Sequence, residues 1–99
     1  MVHKVEVGGR EYEFNRPVIA LERKVRALTV EMAKAAEGLL TEDGFAECRR
    51  VWREIAGLVL KDADESVLDY GNITDGESAD ICAAFFAAAR RTNERPPAG

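Results

Sequence analysis

The sequence predicts a mainly α-helical domain: an N-terminal two-stranded β-hairpin followed by three amphipathic helices in a small bundle. Three observations predict it. Two short alternating runs flank Gly8-Gly9 near the start. Beyond Pro17, apolar residues recur at helical spacing. Two threonines, Thr41 and Thr74, stand where helix-capping residues belong.

The hairpin comes first. His3-Lys4-Val5-Glu6-Val7 and Arg10-Glu11-Tyr12-Glu13-Phe14 alternate in character on either side of two glycines. Two-residue loops need positive φ at both positions, which glycine adopts without strain. Such a loop pairs Val7 with Arg10, Val5 with Tyr12 and His3 with Phe14, so Val5, Val7, Tyr12 and Phe14 share one face. Lys4, Glu6, Glu11 and Glu13 share the other, with Glu6 opposite Glu11 as a like-charge pair. A lone hairpin is marginal in water, so its apolar face must lie on the helices.

The first helix is expected to open with Pro17 in its first turn and to stop at Gly38. Leu21, Val25, Leu28, Met32, Ala35 and Leu39 recur at spacings of 4, 3, 4, 3 and 4, a narrow stripe with charged flanks that resembles a seam between helices. A helix of this length exceeds what a small core can cover, so Leu21, Val25, Leu28 and Met32 are the expected oligomer or partner-binding seam.

Thr41 is the expected N-cap of the second helix, whose face is Phe45, Cys48, Val51, Trp52, Ile55, Leu58 and Val59. The short connection from Gly38 makes the first two helices antiparallel neighbours. Gly57, inside the stripe, is expected to mark a close helix crossing. Residues 61–71 form a polar break with one helical turn near Glu65–Asp69. Thr74-Asp75-Gly76-Glu77 then spells a capping box that starts the third helix, carrying Ile81, Cys82, Phe85, Phe86 and Ala89. The expected organisation is one domain, 1–92, with a flexible C-terminal tail, 93–99, rich in proline.

Chemistry-bearing constellations are scarce. Asp62-Ala63-Asp64-Glu65-Ser66 opens like a calcium loop, but Val67 replaces the turn glycine and Ile73 the closing glutamate, so Asp62 or Asp64 is expected to cap a short helix instead. Cys48 and Cys82 lie 34 residues apart without the short paired spacing of a zinc site, and read as buried thiols. His3 is the only histidine, and reads as a strand residue stacked on Phe14. No catalytic residue, metal or cofactor is expected, and the chain reads as a binding module rather than an enzyme. A net charge of −4 argues against sequence-independent nucleic-acid binding. Basic residues form modest groups, Arg16, Arg23, Lys24 and Arg26 in one, Arg49, Arg50 and Arg53 in another, Arg90, Arg91 and Arg95 in a third. The first is the candidate basic patch. No apolar run reaches the ~20 residues of a membrane span, and the opening residues lack the order of a secretory signal, so the expected location is cytoplasmic.

The order of elements resembles tail assembly chaperones of long-tailed bacteriophages. The resemblance rests on Val5-x-Val7-Gly8-Gly9-Arg10-x-Tyr12-x-Phe14 and Arg16-Pro17, followed only by helices, with Asp75-Gly76-Glu77 opening an Ala- and Phe-rich last helix. It implies a self-associating protein of the host cytoplasm that binds the tape-measure protein, keeps it soluble and recruits tail-tube subunits. It also implies a longer form made by ribosomal frameshifting. The reading from a different class is a small oligomeric regulatory protein, antitoxin- or repressor-like, that uses its arginines on an acidic or nucleic-acid partner.

Overall fold

The computed structural model describes residues 3–93, and the expected tail from residue 94 onward lies outside them. The hairpin forms as β1 (Lys4–Val7) and β2 (Arg10–Glu13), with the register expected from the turn: Val7 opposite Arg10, Val5 opposite Tyr12, and Glu6 opposite Glu11. Gly8 and Gly9 have φ of +59° and +81°, the left-handed values a two-residue hairpin turn requires. The like-charge pair is relieved diagonally, because Lys4 reaches Glu11 at 3.0 Å. Val7, Tyr12 and Phe14 are buried, and Val5 is half-buried.

The second strand does not end in isolation. Phe14 bridges Leu60, the Lys61 N–H donates to the Glu13 carbonyl at 2.8 Å, and the Asn15 N–H donates to the Val59 carbonyl at 2.8 Å. The hairpin is thereby stitched to the chain leaving the second helix, and Phe14 meets Phe85 edge-on with centroids 6.1 Å apart. His3 stands beside Phe14 across the hairpin, as expected from the register. His3 contributes its carbonyl, which accepts from the Phe14 N–H at 2.9 Å.

Helix α1 (Ile19–Ala36) and helix α2 (Glu42–Val59) pack side by side through a tight turn. The first starts later than expected: Pro17 lies ahead of it, and the cap position is Val18. The Pro17 carbonyl is used elsewhere, accepting from the Asn93 amide at 2.9 Å. Thr41 caps α2 as expected, accepting from the Gly44 N–H at 2.9 Å, while its own hydroxyl donates to the Gly38 carbonyl at 2.7 Å. The close approach between the helices is here rather than at Gly57. A Cβ on Gly44 would overlap the Gly38 carbonyl, whereas one on Gly57 would meet only Leu68 Cδ2 at 4.0 Å. Cys48, Val51, Trp52, Ile55, Ala56 and Val59 are buried along α2, and each large side chain so buried contributes about 1.5–3 kcal/mol.

The polar break contains α3 (Glu65–Leu68), a single turn capped by Asp64 through the Ser66 N–H at 3.1 Å, and a 3-10 turn at Tyr70–Asn72. Val67 is fully buried, and its carbonyl accepts from the Trp52 indole N–H at 2.8 Å. The last helix, α4 (Asp75–Asn93), begins in a complete capping box. The Glu77 N–H donates to Thr74 Oγ1 at 3.0 Å, and the Thr74 N–H donates to Glu77 Oε1 at 2.9 Å. Its face is Ile81, Phe85, Ala88 and Ala89. Asn93, expected to open the tail, is the last residue of α4, held there by Pro17 and by Glu22 at 3.3 Å.

The two glycines give opposite predictions in urea denaturation. Gly44→Ala should lower stability by about 1–3 kcal/mol or more, because the α1–α2 turn must open. Gly57→Ala has room for its methyl group and should raise stability by up to about 1 kcal/mol.

Candidate functional site

The predicted partner seam is directed inward. Val25 is fully buried, Leu28 is buried, and Leu21 and Met32 are half-buried against the core. The 4-3-4-3 stripe of α1 thus belongs to this chain's own core, where a seam open to a partner was expected. An amphipathic stripe marks a buried face without saying whether the burying surface belongs to the same chain.

The apolar residues left outside are different ones. Ile19 is 60% exposed and Val30 is 57% exposed, and Leu40 in the α1–α2 turn is fully exposed. Ile19 and Val30 are eleven residues apart, about three helical turns, so they lie on one face of α1 roughly 16 Å apart. Arg23, four residues from Ile19 and seven from Val30, is exposed on the same face, and Lys24 is exposed further round the helix. No sequence signal separated Ile19 and Val30 from the core stripe, because they are two apolar positions among charged ones.

The predicted basic patch is divided. Arg23 and Lys24 remain on the outer side of α1. Arg26 is engaged, pairing with Glu22 at 3.0 Å and lying over the Phe86 ring at 4.6 Å. Arg16 turns to a separate cavity of about 530 Å³, where Lys61 and Arg91 join it beside His3, Asn15 and Thr92. Three elements supply these cations: the linker after the hairpin, the chain leaving α2, and the end of α4. The floor contains the buried Phe14 and Pro17. Lys61 Nζ lies 3.3 Å from Glu13 Oε1, and Arg16 and Arg91 form no ion pair among the described residues. Sequence reading placed Arg16 and Arg91 in different groups. Their meeting depends on a contact between distant parts of the chain.

Several of the other charges hold the structure together. Arg49 and Arg53, assigned to the second basic group, clasp Asp69 at 3.0 Å and Glu65 at 2.8 Å, and Arg50 pairs with Glu47 at 2.6 Å. Asp64 accepts from the Tyr12 hydroxyl at 3.0 Å and also binds Arg10, so it joins the hairpin to α3. Glu77 reaches beyond its capping box to accept from the Gly8 N–H at 3.0 Å. Among the described residues no three His, Cys, Asp or Glu side chains gather as metal ligands. Cys48 is buried and Cys82 half-buried, both as free thiols, and burial pushes Cys82 up to about 11.

These carboxylates respond to their partners. Burial pushes Asp64 up, but the Tyr12 hydroxyl, the Arg10 guanidinium and the Ser66 N–H outweigh it and leave the group below its ordinary value. The Arg53 guanidinium lowers Glu65, the Gly71 N–H and then Arg49 lower Asp69, and the Thr74 N–H lowers Glu77. A carboxyl that is more acidic folded than unfolded contributes stability above its unfolded value and loses it as pH falls through the folded one. With ordinary values of 3.8 for Asp and 4.5 for Glu, the urea midpoint should therefore decline below roughly pH 4.5. Asp64→Asn combined with Glu77→Gln should make that decline shallower.

A second measurement separates core from surface. Val25→Glu buries an unpaired charge and should cost more than about 4 kcal/mol, whereas Leu40→Glu should change stability by about 0.5 kcal/mol or less. Circular dichroism during denaturation reads both.

No helix among the described residues is long and apolar enough to cross a membrane. No protein-family model matches the chain, and no curated protein or solved structure does.

Proposed function

We propose that this chain is a non-enzymatic assembly chaperone that self-associates and holds an amphipathic helical partner, which the resemblance identifies as a phage tape-measure protein. The observation that carries the reading is the outer face of α1. Ile19 and Val30 remain exposed on it after the core is complete, with Arg23 between them and Lys24 exposed further round the helix. An amphipathic helix with an apolar stripe and acidic shoulders complements such a face, the stripe covering Ile19 and Val30 and the acids meeting the cations. Further support comes from the hairpin, Arg16-Pro17 and the all-helical remainder, which follow in the order the resemblance rests on.

A holder of this kind works by covering apolar surface until tube subunits replace it. A long amphipathic chain aggregates through its exposed stripes, and a net charge of −4 on each bound copy disperses the complex. The contact is chiefly apolar, so moderate salt should weaken it little.

Co-expression with the tape-measure protein of the same phage tests this. The tape-measure protein should appear in the soluble fraction and be captured with this chain at low and moderate salt. Light scattering of the isolated chain at micromolar concentration should give more than one copy per particle. Ile19→Glu combined with Val30→Glu should abolish capture while leaving the helical circular dichroism intact. An insoluble tape-measure protein, with both this chain and any frameshifted longer form supplied, would overturn the reading. Salt-sensitive retention of DNA in place of capture would favour the regulatory class instead.

A further inference from the structure

We propose that the cavity between the hairpin linker, the end of α2 and the end of α4 binds a phosphate group, held between Arg16, Lys61 and Arg91. This inference is independent of the chaperone reading, since the cavity does not include the outer α1 face.

Charge balance argues for the ligand class. Three permanent cations face one carboxylate, Glu13, leaving two positive charges for a ligand near the −1.5 to −2 of a phosphate monoester. A carboxylate would neutralise only half of that. Two of the cations are guanidinium groups, whose planar forks present paired donors to phosphate oxygens, and the third is a lysine that acts as a point charge.

The site is also built on fixed backbone. Arg16 follows Asn15, whose N–H donates to the Val59 carbonyl at 2.8 Å and whose side-chain amide donates to the Leu58 carbonyl at 2.8 Å. Lys61 is anchored through its own N–H on Glu13. Arg91 is two residues from Asn93, which ties α4 to Pro17. The backbone positions that carry the three cations are therefore fixed within the chain, so binding need not first bring the elements together. The buried Phe14 and Pro17 make part of the wall apolar, and a charge pair beside such a wall is screened less than one in open water.

Thermal denaturation of the full chain in inorganic phosphate, against sodium chloride at equal ionic strength, tests the proposal. Phosphate should raise the melting temperature in a saturable manner, and the amide resonances of Asn15 and Thr92 should shift along the same titration. Arg16→Ala combined with Arg91→Ala should weaken the apparent Kd at least tenfold. Arg23→Ala combined with Lys24→Ala removes the same charge outside the cavity and should leave the Kd within twofold. Equal weakening by both double variants, or a wild-type response no larger in phosphate than in chloride, would overturn the site. A short DNA duplex in parallel distinguishes the source of the phosphate. Retention that depends on Arg16 and Arg91 assigns it to a nucleic-acid backbone, and a phosphate response without retention assigns it to a small phosphorylated molecule.

Discussion

The fold depends on the seam between residues 13–15 and 59–61. Without it the hairpin would be a two-stranded ribbon, which is marginal in water. The hydrogen bonds from Lys61 to Glu13 and from Asn15 to Val59 place Phe14 over the end of α2, where it reaches Phe85 of α4. One short antiparallel contact thus joins the hairpin to two helices. It also decides where α1 begins, because the chain leaves the seam at Asn15 and passes Pro17, which α4 grips through Asn93. The cavity proposed to take phosphate is a consequence of the same seam, since Lys61 ends it on one side and Arg16 directly follows it on the other.

The far end of the hairpin is secured by polar contacts. Glu77 satisfies its capping-box partner with one oxygen and the Gly8 N–H with the other, so the same carboxylate starts α4 and holds the hairpin turn. Asp64 likewise caps α3 while accepting from Tyr12 and Arg10. The acidic stretch that opens like a calcium loop is occupied by these duties. Exposed ion pairs contribute little individually, so these residues matter chiefly through the backbone donors they satisfy and the register they fix.

The division of α1 into two faces has the largest bearing on function. Its regular stripe is part of the core, and the irregular outer face, where Ile19, Arg23 and Val30 are exposed, is the one proposed to meet a partner. This face is modest in apolar area and carries charged residues around it. Such a composition is consistent with the transient contact proposed, because obligate interfaces are more apolar.

Local physics made much of this legible in the residues. Gly8-Gly9 determined the hairpin and its register, because the turn admits two residues of positive φ and strand alternation does the rest. Thr41, Asp64 and Thr74 determined three caps through contacts no more than three residues away. Apolar periodicity located the buried faces of all three long helices. The tertiary structure alone decided what those faces met. It turned the Leu21–Met32 stripe into the core, moved the close helix approach from Gly57 to Gly44, extended α4 to Asn93, and brought Arg16 to the same cavity as Arg91. Periodicity reports that a face is buried, whereas the surface that buries it, and the charges left around the closure, depend on contacts between residues far apart in the chain.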